Sequence, residues 1–92
     1  MSYEIIVRPE AAHEVQEAFD WYEEKSEGLG LEFLRAADAC LAGIRRNPLA
    51  SPVMHQEIRR ALLRKFPYAL FYIVKEEKII VLVLKIYLFK LL

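Results

Sequence analysis

Residues Arg59 to Val74 read "RRALLRKFPYALFYIV", and the fold turns on how that run is divided. Four cations, Arg59, Arg60, Arg64 and Lys65, stand directly beside Phe66, Tyr68, Leu70, Phe71 and Tyr72. A surface segment has no use for so many aromatic rings, and a core segment none for so much positive charge. Side chains alternate along a strand, so Arg60, Leu62 and Arg64 share one side and Ala61, Leu63 and Lys65 the other. Pro67 lacks a backbone donor and belongs between strands rather than inside one. A second strand then covers Tyr68 to Lys75, rich in aromatic and β-branched residues. Glu76-Glu77 supplies a tight turn, and "KIIVLVL" (Lys78 to Leu84) returns as a third strand, an antiparallel hairpin.

Upstream the period changes. "NPLASPVMHQE" reads as a loop of turn formers, and before it lie two helical patterns. Pro9 suits a first helical turn, where its missing N–H costs nothing. Glu10 and Glu14 lie near the positive end of that helix. Ala11, Val15, Ala18, Phe19 and Tyr22 form its apolar stripe as far as about Ser26. Gly28 and Gly30 break it, and a second helix begins near Leu31, with Leu34, Ala37, Leu41 and Ile44 on one side. It ends at Asn47-Pro48, because the residue before proline is pushed out of helical geometry. Tyr3 to Arg8 is a first strand. The expected fold is α+β, in the order β-α-α-β-β-β. A helical hairpin would cover one face of a mainly antiparallel twisted sheet and leave the other to water or a partner.

Ninety-two residues, 55% of them hydrophobic and 28% charged, make a single domain over 1–92 with one modest core. The lone Cys40 cannot form an internal disulfide, and Met1 to Arg8 lacks the pattern of a secretory leader, so a reducing, cytoplasmic setting is expected. The apolar run from Ile79 to Leu92 is interrupted by Lys85 and Lys90 and is too short for a bilayer. A net charge of zero conceals segregation: Met1–Leu41 carries ten acids and three bases, Ala42–Leu92 ten bases and three acids. A basic layer attracts a phosphate backbone or an acidic protein segment, unless each surface is simply solvated.

The chain is similar to the RelE/ParE toxin superfamily of bacterial type II toxin–antitoxin modules. The likeness lies in the element order, "RPEAAHEV" opening the first helix, "AFDWYEEKSEGLGLEFL" across the interhelical turn, "IRRNP", and "IRRALLRKFPYALFYIV" running into "KIIVLVL". It spans about residues 3 to 84 and is nearer to ParE-like members than to the mRNA-cleaving RelE type. It implies a cytoplasmic toxin silenced by a cognate antitoxin, with DNA gyrase as the ParE-type target and stress response or plasmid stabilisation as the setting. It implies no cofactor and no membrane. Assembly as a homodimer or as a hetero-oligomer with the antitoxin is left open.

The contrasting class is a ribosome-dependent mRNA endonuclease, which needs a base, an acid and cations around the phosphate. On this chain the matching positions offer Arg60, Arg64, Lys65 and Tyr87 as catalytic candidates. Two positions that are cationic in the nuclease type fall instead on Ala69 and near Phe89. Losing one preorganised stabilising group costs on the order of hundredfold in rate, so an efficient nuclease is not expected. A degenerate toxin that only binds its antitoxin is the third reading. Candidate contact residues for antitoxin or target are Arg59, Arg60, Arg64, Lys65, Lys85 and Trp21. The ending "KIYLFKLL" also departs from the polar, histidine- and arginine-bearing tail of ParE-like relatives, with Ile86, Leu88 and Phe89 at those positions. His13, His55 and Cys40 show no metal-ligand spacing and no metal is expected. Gly28 and Gly30 lie between helices, where a phosphate loop does not belong.

Overall fold

In the computed structural model, which describes residues 2–87, the elements are β1 (Glu4–Val7), α1 (Pro9–Lys25), α2 (Leu29–Arg46), β2 (Val53–His55), β3 (Ile58–Leu62), β4 (Tyr68–Lys75) and β5 (Lys78–Ile86). The five strands lie in the order β1-β5-β4-β3-β2, with β1 parallel to β5 and every other pair antiparallel. Ala11, Ala18, Phe33, Ala37 and Ile44 of the helices pack on Leu70, Tyr72, Ile79, Val81 and Leu84 of the sheet. The expected α+β sandwich of a helical hairpin on one sheet face is therefore present, with three corrections.

First, "NPLASPVMHQE" is not all loop: Val53–His55 forms β2 and pairs irregularly with Ile58 and Arg59. Its side chains are all exposed, so no alternation marks it in the sequence. What holds the preceding turn is side-chain chemistry. Arg59 Nη1 donates to the carbonyls of Leu49 (3.1 Å) and Ser51 (2.7 Å), and the buried Tyr72 hydroxyl donates to the Pro48 carbonyl at 2.6 Å.

Second, β3 stops at Leu62 instead of continuing to Lys65. Leu63 N–H still donates to Tyr68 O at 2.9 Å, but Lys65 sits at φ 70°, a left-handed turn conformation. The turn buries Leu63 and Phe66 and leaves Arg64 and Lys65 in solvent. Phe66 closes an aromatic cluster with Tyr22 (4.9 Å between ring centroids) and Phe33 (5.5 Å), both edge-on. The mixture of charge and aromatic rings in "LLRKFPY" is thus the alternation of an anchored turn, not of a strand.

Third, Gly30 does not break a helix but lies in the first turn of α2, which begins at Leu29. Gly28, at φ 89°, makes the reversal. The Glu23 carboxylate accepts Gly28 N–H (3.0 Å) and Gly30 N–H (2.9 Å), satisfying donors that a helix start leaves open. A β-carbon on Gly30 would come within 2.8 Å of the Phe19 ring and carbonyl, so the absent side chain is what lets α1 and α2 approach.

A β-bulge shapes the end of the sheet. Tyr72 pairs with Val81 and Phe71 with Val83, which leaves Leu82 as the extra residue. β1 has ended by then, its Val7 lying opposite Val81. Glu14 of α1 takes over, its Oε1 accepting Leu84 N–H at 2.8 Å and its Oε2 contacting Lys85 Nζ at 2.7 Å.

Candidate functional site

Strand register shows what the sheet offers on the face away from the helices. The core side holds Leu70 and Tyr72 of β4 with Ile79, Val81 and Leu84 of β5, so the alternate positions face outward. Read from the β4–β5 turn, the first outward row is Glu4, Lys78 and Lys75. Next come Ile6, Ile80 and Ile73, then Val83, Phe71 and Arg60, then Lys85, Ala69 and Leu62. Among the described residues this face is apolar at its centre, with Glu4, Lys78 and Lys75 at one margin, Lys75 paired with Glu57 at 3.3 Å, and Arg60 and Lys85 at the others. The cations of "RRALLRK" do not gather on this face, because the chain points them in different directions.

Arg59 belongs to the core side, where its guanidinium is spent on the loop carbonyls already described. Arg60 lies opposite Phe71, and among the described residues its buried Nε–H meets no acceptor. Arg64 and Lys65 project from the turn that follows. Tyr87 N–H donates to Pro67 O at 3.1 Å, so Tyr87 stands at the same end of the sheet as that turn. Lys85 faces Ala69 by register, yet its ammonium is held by Glu14. That pairing raises the Lys85 pKa above its ordinary value, first through the hydrogen bond and then through the charge of Glu14. Trp21 is 54% exposed and lines a groove between α1 and the end of β5 with Ile86, itself 57% exposed. Lys25 Nζ lies 4.7 Å from the Trp21 ring centre.

The nucleophile and ligand chemistry of the site is sparse. Burial pushes the Cys40 thiol up to about 11, which keeps it protonated at neutral pH. Tyr22 and Tyr68 are likewise shifted upward, chiefly by desolvation. Ala69, which the resemblance matches to a cationic position of the nuclease type, has 0% exposure and only a methyl group to offer. Phe89 and Leu88 lie outside the described residues. Among the described residues no cluster of three or more His, Cys, Asp or Glu side chains is placed to hold a metal ion, and no helix is long and apolar enough to cross a membrane. Glu14 and Glu23 are contributors that sequence reading missed. Both look like solvent-facing helix acids, and only the chain geometry shows backbone donors waiting beside them.

No protein-family model and no curated protein matches the chain by sequence. Solved structures do match by shape. A chain of the structure described as "Chromosomal ParDE TA system from P. aeruginosa" superimposes with a TM-score of 0.65 at 16% identity, over 89% of this chain and 92% of that one. The architecture of two helices on a five-stranded mixed sheet is therefore the RelE/ParE fold that the sequence resembles.

Proposed function

We propose that the chain is the toxin of a type II toxin–antitoxin module, ParE-like in kind, held inactive by a cognate antitoxin and directed at DNA gyrase. The observation that carries the reading is the likeness to the ParDE structure across nearly the whole of both chains. The surface supports a binding role over a cleaving one. An apolar sheet face with Arg60 and Lys78 at its margins suits a protein partner that has both apolar and acidic side chains. An RNA-cleaving centre needs cations converging on a phosphate; here Arg59 is committed to carbonyls, Lys85 to a carboxylate, and Ala69 has no charge to give.

Inducible expression in a bacterial host, with and without the product of the neighbouring gene, tests this. Growth arrest with filamentation and a DNA-damage response, relieved by the neighbouring product, is the expected result, together with inhibition of gyrase supercoiling by the purified chain. Rapid translation arrest with cleaved mRNA would transfer the assignment to the nuclease class. Unimpaired growth would leave a chain that is no toxin.

A further inference from the structure

β1 forms one margin of the sheet, and its backbone groups divide between two directions. Glu4 N–H donates to Glu77 O at 2.9 Å and Arg8 N–H to Val81 O at 3.0 Å, so Glu4, Ile6 and Arg8 bond toward β5. The N–H and C=O groups of Ile5 and Val7 point the other way, where among the described residues no strand lies. The usual guards of a sheet edge are missing: no proline, bulge or lysine occurs between Glu4 and Val7. Ile6 and Val7 are instead 37% and 42% exposed. An apolar, unguarded edge of this kind is a template for another strand.

The strand that fits this edge is a second β1. Run antiparallel, with Ile5 opposite the partner's Val7 and Val7 opposite the partner's Ile5, it satisfies every outward group of both strands, because each such pair exchanges two hydrogen bonds. The same register sets Glu4 opposite the partner's Arg8, and symmetry repeats that opposition on the other side. Among the described residues Glu4 makes no ion pair, and Arg8 meets Glu10 only in an exposed contact of 3.5 Å. We propose that β1 pairs antiparallel with β1 of a second copy about a twofold axis at Ile6, joining two five-stranded sheets into one. A second copy is favoured over an unrelated strand because acid and base stand at the two positions that the twofold axis interchanges. Ile6 meets its own counterpart on the outer face, so the row of Ile73, Ile80 and Ile6 continues across the axis into the partner. The apolar face of one chain is thus half of a larger one. Four residues a strand make a small contact, which places the dimer in the class that forms and parts with concentration. The pairing assumes nothing about toxicity.

Sedimentation equilibrium of the full chain over a concentration series tests this, and a reversible monomer–dimer equilibrium is expected. Glu4→Arg and Arg8→Glu each turn two attractions into repulsions and are expected to weaken the dimer roughly tenfold. The double variant Glu4→Arg/Arg8→Glu restores both oppositions and should recover the parent constant, and mixing the two single variants should give a heterodimer. Hydrogen exchange at the Ile5 and Val7 amides should slow as concentration rises, whereas Ile6, already bonded to β5, should not change. In a Cys40→Ala background, Ile6→Cys brings two thiols onto the axis with Cα atoms about 4.5 Å apart, within disulfide reach, and should oxidise to a covalent dimer. Glu4→Cys, whose copies would lie about 14 Å apart, should not. A chain that stays monomeric at every concentration overturns the proposal. So does a dimer indifferent to both charge reversals in variants that melt like the parent, or one that links equally well through Glu4→Cys. If the neighbouring gene's product, and not a second copy, protects the Ile5 and Val7 amides, the pairing is refuted while the toxin reading stands. A dimer with the expected register from a chain whose expression is harmless upholds the pairing and refutes the toxin.

Discussion

Removing the Glu14 carboxylate isolates a contact on which the end of the sheet depends. Glu14→Ala strips the acceptor from Leu84 N–H, a part-buried donor 2.8 Å from Oε1, at a point where β1 no longer runs alongside β5. A hydrogen bond from a backbone amide to an ionised acceptor contributes roughly 1.5–3 kcal/mol, and a buried donor left open costs a similar amount. The Lys85 partner is 60% exposed, so the ion pair adds little to this. Alanine regains a few tenths of a kcal/mol in helix propensity. A net loss of about 2 kcal/mol lowers the melting temperature of a domain this size by roughly 8–16 °C. Glu14→Gln keeps an acceptor but no charge and is expected to lose about 1 kcal/mol or less. Urea unfolding followed by circular dichroism gives the order, and hydrogen exchange at the Leu84 amide should accelerate in Glu14→Ala far more than in Glu14→Gln. The pH dependence has a definite sign. The Lys85 pKa is raised in the folded chain, so the stabilisation it brings is complete below its ordinary 10.5 and disappears as pH climbs through the higher folded value. A Glu14→Ala variant as stable as the parent at neutral pH, with an unchanged Leu84 amide, would refute the reasoning.

Two further perturbations probe the packing behind the candidate surfaces. Tyr72→Phe removes the buried donor to the Pro48 carbonyl and is expected to cost about 1–3 kcal/mol in urea unfolding and to speed exchange at Ala50, whose amide bonds to Asn47 within the same turn. Cys40, raised by burial from 9.0 to about 11, should react with an aromatic disulfide at pH 8 far more slowly than a free thiol. The parent should lose stability between pH 9 and 11 as the unfolded thiol ionises and the folded one does not, a loss that Cys40→Ala escapes.

The sequence reveals those elements whose burial has a period. The stripes of α1 and α2 and the alternation of β4 carry the fold because each must hide one side. β2 stays invisible because it hides nothing, and Gly30 misleads because its role is contact with Phe19 rather than helix termination. The candidate site is harder to read for a geometric reason. Straight alternation from Lys78 would put Leu84 with Ile80, outward; the bulge at Leu82 shifts it to the core side with Ile79 and Val81 and carries Val83 to the outer face. One inserted residue therefore decides which side chains a partner meets. Arg59 shows the same limit, since four neighbouring cations look equivalent until loop carbonyls claim one of them.

The parallel pairing of β1 with β5 has a kinetic consequence. Glu4 lies against Lys78 and Val7 against Val81, so β1 can find its neighbour only after β5 has been made. The helical hairpin, built from local contacts, is free to form early, whereas closing the sheet must await the long loop between those partners. During synthesis the surface rimmed by Arg60 and Phe71 is then incomplete until β5 emerges, since Phe71 borders Val83 in the finished sheet. A nascent chain of this topology cannot present its finished sheet face until β5 has left the ribosome.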